Sequence, residues 1–136
     1  CAEHGIGIRA FDELVQQADV IALHLPLMDS TRHLINREAI ANMKPGTILI
    51  NASRGGIIDE AAAYEALKSG KLGGLGLDAF EIEPPTGSPL FELNNVVVTP
   101  HTGAHTQEAT DHMASGAIKN LIDILSGNEC PYIVNK

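Results

Sequence analysis

Four short apolar runs limit what this chain can fold into more than any other feature of its sequence. They are Val20-Ile21-Ala22-Leu23, Thr47-Ile48-Leu49-Ile50, Leu75-Gly76-Leu77 and Val96-Val97-Val98. Each is continuous, not alternating, which is how strands buried on both faces of a parallel sheet read. The first three begin 27 or 28 residues apart, close to the ~30 residues of a strand–helix–strand unit. Helical patterns fill the intervals. A short strand is expected at residues 8–11, and Asp12 is placed to cap a short helix with Leu14, Val15 and Ala18 on one face. Asn36 caps a second helix, with Ile35 and Ile40 forming a hydrophobic staple. Asp59 opens a third, rich in alanine, and Gly70 closes it. The longest runs over residues 106–126, where Ala109, Met113, Ala117, Leu121 and Leu125 recur every four residues before Gly127. The pattern predicts an α/β fold, a parallel sheet with flanking helices.

Composition narrows the function. The chain has 136 residues, the size of one domain, and nine Lys and Arg against 17 Asp and Glu, a formal charge of −8. Such an acidic surface, with no Trp and 4% aromatics, argues against nucleic acid. No apolar run approaches the ~20 residues of a membrane span. The two cysteines, Cys1 and Cys130, sit near opposite ends with no framework or metal spacing, which favours a reducing, cytoplasmic setting.

Polar residues gather where each run ends. His24-Leu25-Pro26 follows the first, Asn51-Ala52-Ser53-Arg54-Gly55-Gly56 ends the second, and Asp78 follows the third. After the fourth comes Thr99-Pro100-His101-Thr102-Gly103. In a parallel sheet these carboxyl ends share one edge, where open α/β folds bind ligands. The stretch from Ala79 to Asn95 lacks a helical pattern and carries Glu81 and Glu83; a loop of that length tends to be functional. Gly5-Ile6-Gly7-Ile8-Arg9-Ala10 fits the dinucleotide phosphate loop, but Cys1-Ala2-Glu3-His4 is no apolar strand, so that reading is declined. His101, His105 and His112 fall at intervals of four and seven, yet a metal centre needs further ligands and an orienting shell. No metal is expected.

Four stretches carry a resemblance: V-I-A-L-H-L-P-L at 20–27, N-A-S-R-G-G-I-I-D-E at 51–60, L-D-A-F-E-I-E-P-P at 77–85 and T-P-H-T-G-A-H-T-Q-E-A at 99–109. In order, spacing and wording the chain resembles the D-isomer-specific 2-hydroxyacid dehydrogenases, and most of all those acting on 3-phosphoglycerate. The resemblance implies the second half of a Rossmann-type NAD-binding domain. It divides into residues 1–105 with the strands and shorter helices, a long helix at 106–126 and a tail at 127–136. By the same resemblance the glycine-rich loop and the substrate-binding domain lie outside this chain, which is then inactive by itself.

The resemblance also implies roles. Arg54 would bind the substrate carboxylate, as its planar fork suits. His101 would be the acid/base and Glu83 the carboxylate that orients it; taken alone, Glu83 would pass for a solvated loop acid. Asp78 would accept from the nicotinamide carboxamide. Leu25 and Pro26 would line the adenine side, with Ala52, Ser53, Thr102, Gly103 and Ala104 along the nicotinamide, where small residues admit a flat ring. The expected partners are a small 2-hydroxy or 2-oxo acid, NAD, and a second copy through the NAD-binding domain. A non-catalytic, NAD-responsive corepressor on the same fold keeps the same Arg, Glu and His and stays open at this stage.

Overall fold

Each apolar run becomes a strand in the computed structural model of the chain, which describes residues 4–134. The order is α1 (Phe11–Gln17), β1 (Val20–Leu23), α2 (Arg37–Asn42), β2 (Thr47–Asn51), α3 (Glu60–Lys68), β3 (Leu72–Leu77), a 3-10 turn at Pro89–Glu92, β4 (Val96–Val98) and α4 (Gln107–Leu125). All four strands are parallel, in the order β1-β2-β3-β4. Register is pinned by Ile21 opposite Leu49, Leu49 opposite Leu75, and Leu77 opposite Val98. The carboxyl ends therefore stand side by side.

The caps at Asn36 and Asp59 form as expected, and Thr106 caps the last helix as well, each side chain accepting from the backbone N–H three residues on. At the start of the chain the expectation fails. Residues 8–10 form no strand, and α1 begins at Phe11 with Ala10 at its cap and no side-chain cap bond. Asp12 lies inside the first turn beside Glu13, where the two carboxylates meet the positive end of the helix dipole directly.

A second correction concerns burial. Along β1 and β2 exposure alternates, so Ile21, Leu23, Thr47, Leu49 and Asn51 are buried while Val20, Ile48 and Ile50 are not. The buried face joins Val15, Ile40, Met43, Ile57, Ala63 and Leu67 in one core. The other face is open to solvent, with Val97 at 72% exposure. Continuous apolar runs report two faces that want covering, and within this chain α1–α3 cover one.

Strand β3 starts three residues earlier than its apolar run, at Leu72-Gly73-Gly74. A Cβ on Gly73 would stand 2.4 Å from the Gly46 carbonyl oxygen. Glycine is what lets β3 pass the turn before β2, and it is also what hides the strand from a hydrophobicity reading.

Residues up to His101 and residues from Thr102 onward form two compact units. The second holds α4, capped by Ser126 and followed by Gly127 at φ 75°, with no buried residue along its length. No helix among the described residues is long and apolar enough to cross a membrane.

Candidate active site

The turn after β2 is built by one buried amide. Asn51, 1% exposed, donates through Nδ2 to the Arg54 carbonyl at 2.7 Å. Its Oδ1 accepts from Ser53 N–H at 3.1 Å and from Ser53 Oγ at 2.8 Å. This folds Ala52-Ser53-Arg54 into a tight loop and sends the Arg54 side chain outward, where it donates to the Ser53 carbonyl. Sequence reasoning passed over Asn51 as the end of a strand; its signal is an amide at an inward-facing position. Asn51→Asp retains the acceptor and loses the donor, leaving the Arg54 carbonyl unpaired. The full-length protein should lose about 1–3 kcal/mol of stability, read as a lower Tm, with a matching loss of activity.

Arg54 forms no ion pair with a carboxylate among the described residues. With His24, Leu25, Pro26, Leu27 and Ser53 it lines a cavity of about 470 Å³ at the ends of β1 and β2. Apolar walls leading to an unpaired guanidinium fit a flat ring carried next to an anionic group. Of the expected cofactor contacts, Leu25, Pro26, Ser53 and Arg54 are brought together here.

Glu83 and His101 meet as expected. His101 Nδ1 lies 3.0 Å from both Glu83 carboxylate oxygens, and Glu83 Oε1 also accepts from Phe80 N–H at 3.0 Å. The His101 hydrogen bond, then the Phe80 N–H, holds the Glu83 carboxyl below its ordinary range, against smaller opposing pushes from desolvation and then from Asp78. With Nδ1 committed to Glu83, Nε2 is the nitrogen left to exchange a proton. His101 itself sits at φ 53°, in the left-handed region. Asp78, 8% exposed, accepts from Thr99 Oγ1 and continues the ladder by donating its N–H to Asn51 O. Thr99 stands in sequence only as the start of the polar stretch after β4, and its bond to Asp78 is not legible there. Thr102, Gly103 and Ala104 follow His101 directly in the chain, at the start of the second unit.

What ties the Arg54 turn to the Glu83 loop is Gly55. A Cβ there would stand 1.8 Å from the Phe80 carbonyl oxygen, so the two backbones touch. An arginine, a carboxylate–histidine pair and a buried aspartate thus share the carboxyl edge of one parallel sheet. His105 and His112 lie before and within α4, and no metal-holding cluster occurs among the described residues.

Comparison with known proteins carries this arrangement to a family. The profile of the D-isomer specific 2-hydroxyacid dehydrogenase NAD binding domain matches residues 1–103. The chain belongs to this family. Its NAD-binding domain is the part matched, and the Rossmann-type fold and NAD as cofactor follow with it. D-3-phosphoglycerate dehydrogenase of Mycobacterium leprae is 47% identical over 134 residues, covering 98% of this chain and 25% of that protein. Glyoxylate reductase of Thermococcus litoralis is 45% identical over 137 residues, covering 99% of this chain and 41% of the reductase. The D-lactate dehydrogenase of Aquifex aeolicus, solved with NAD and lactic acid, superposes with a TM-score of 0.82 at 35% identity over 88% of this chain and 41% of that one. The chain therefore spans a quarter to two-fifths of the length of these relatives.

Proposed function

We propose that the protein to which this chain belongs interconverts a D-2-hydroxy acid and its 2-oxo acid, with 3-phosphoglycerate as its substrate. The observation that carries the reading is the Glu83–His101 pair on a loop whose backbone touches the Arg54 turn, at the sheet edge of an NAD-binding domain. NAD, when bound, supplies the hydride acceptor and donor. Arg54 holds the substrate carboxylate through two parallel N–H donors and draws electron density from the neighbouring carbonyl. His101 holds a proton at Nε2 for the carbonyl oxygen in reduction and takes it back in oxidation. Glu83 fixes the ring through Nδ1. Leu25 and Pro26 offer an apolar wall to the adenine, while Ala52 and Ser53 line the nicotinamide and Asp78 accepts from its carboxamide. The preference for 3-phosphoglycerate is supported by the similarity to the M. leprae enzyme. A cytoplasmic homodimer, formed through this domain, completes the reading.

Glu83→Gln in the full-length protein is the test. Glu83 ionises more readily than an ordinary glutamate because it faces His101. Glutamine keeps the reach and loses the charge, so the bond to His101 Nδ1 weakens and the ring is held less firmly. The kcat should fall about tenfold in both directions, with the KM for NAD little changed. A variant with kcat near wild type in both directions, and solvent isotope effects showing proton transfer limiting in both proteins, would overturn the pairing.

A further inference from the structure

The loop between β3 and β4 carries Glu83, yet packing alone does not hold it. Residues 81–88 are mostly exposed. Their outer side borders a cavity of about 730 Å³, with Tyr64, Ile82, Pro85 and Leu90 in its walls. The restraint comes from hydrogen bonds to the start of α3. Glu81 N–H donates to Glu60 Oε1 at 2.7 Å, and Glu60 N–H donates to Glu81 Oε1 at 3.0 Å. Two residues 21 apart in sequence grip each other's backbone with their side chains. His33 Nε2 stands 3.1 Å from the same Glu81 oxygen, close enough for an ion pair, and has no hydrogen-bond partner among the described residues.

The gripped segment is the one that seats Glu83. Phe80 N–H donates to Glu83 Oε1, Phe80 C=O abuts Gly55, and the next N–H, of Glu81, is held by Glu60. Three consecutive backbone groups are thus fixed by the carboxylate, by the Arg54 turn and by α3. Glu60 is placed at a cost. Burial holds its carboxyl above the ordinary range, and the charges of Glu81 and Glu83 push the same way, opposed by the bond from Glu81 N–H. A free surface glutamate meets neither burden.

We propose that Glu60 and Glu81, with His33 beside them, are positioning residues whose reciprocal clamp fixes the Phe80–Glu81 peptide and so seats Glu83 against His101. The kinetic consequence rests on the dehydrogenase reading above; the structural one does not.

The test uses the full-length protein with Glu60→Ala, which removes the acceptor, and Glu60→Gln, which keeps an oxygen at the same reach. Glu60→Ala should lower kcat about tenfold through misplaced acid/base geometry, with the KM for NAD little changed. In protein labelled with ¹⁵N-phenylalanine, the Phe80 amide should exchange about tenfold faster. Glu60→Gln should restore both kcat and the protection. If Glu60→Ala does not fold, Glu60→Asp, one methylene shorter, is measured in its place. An unchanged kcat together with unchanged Phe80 protection would overturn the clamp. If wild-type protein reduces no 2-oxo acid, the functional reading falls, and Phe80 exchange alone decides the clamp.

Discussion

Arg54→Lys in the full-length protein should cut kcat/KM for 2-oxo acid reduction by between about tenfold and about a hundredfold. The charge survives this substitution, so a simple attraction between unlike charges would be little changed. What is lost is the fork. Lysine is a point donor on a flexible stem and cannot hold a carboxylate by two parallel bonds. A lost charged hydrogen bond is worth ~1.5–3 kcal/mol, which sets the range. The Asn51 bonds place the Arg54 backbone, and nothing in that turn re-aims a shorter reach. Steady-state kinetics within about threefold of wild type would show that Arg54 does not grip the substrate in this way.

Gly55→Ala should do greater damage with a smaller change. The added methyl carbon would lie 1.8 Å from the Phe80 carbonyl oxygen, 2.1 Å from its carbon and 2.7 Å from Glu81 N. All three are backbone atoms, so no side chain can swing aside. Either the Arg54 turn or the Glu83 loop must move, by roughly an ångström, and a displacement of that size at a reacting centre costs about a hundredfold. Both kcat/KM and Tm should fall. An alanine variant with near wild-type activity and an unchanged Tm would mean that the two loops are not in contact.

Much of this site is legible in the sequence. The four apolar runs place the strands, and polar residues after each run place a ligand edge. Asn36, Asp59 and Thr106 mark helix starts because a short polar side chain there has one backbone N–H to meet. What stays hidden is whatever depends on contacts distant in sequence. Nothing in sequence joins Glu60 to Glu81, and only their hydrogen bonds across 21 residues reveal the pair. Gly55 looks like turn glycine, whereas its role is to admit a carbonyl from another loop. Asp12 misleads because acidic residues favour both the cap and the first turn of a helix. Alternating burial in β1 and β2 is equally hidden, since apolar residues on a bare face and a covered face read alike.

The left-handed backbone at His101 sets two selections against each other. A side chain other than glycine or asparagine is disfavoured at that φ, by an amount on the order of 1 kcal/mol. A screen for heat resistance alone should therefore drift at position 101 toward glycine or asparagine. A screen for turnover should never do so, because neither residue can carry a proton between pH 6 and 8. Evolved libraries of this protein, sorted by the two criteria in parallel, should part company first at this residue.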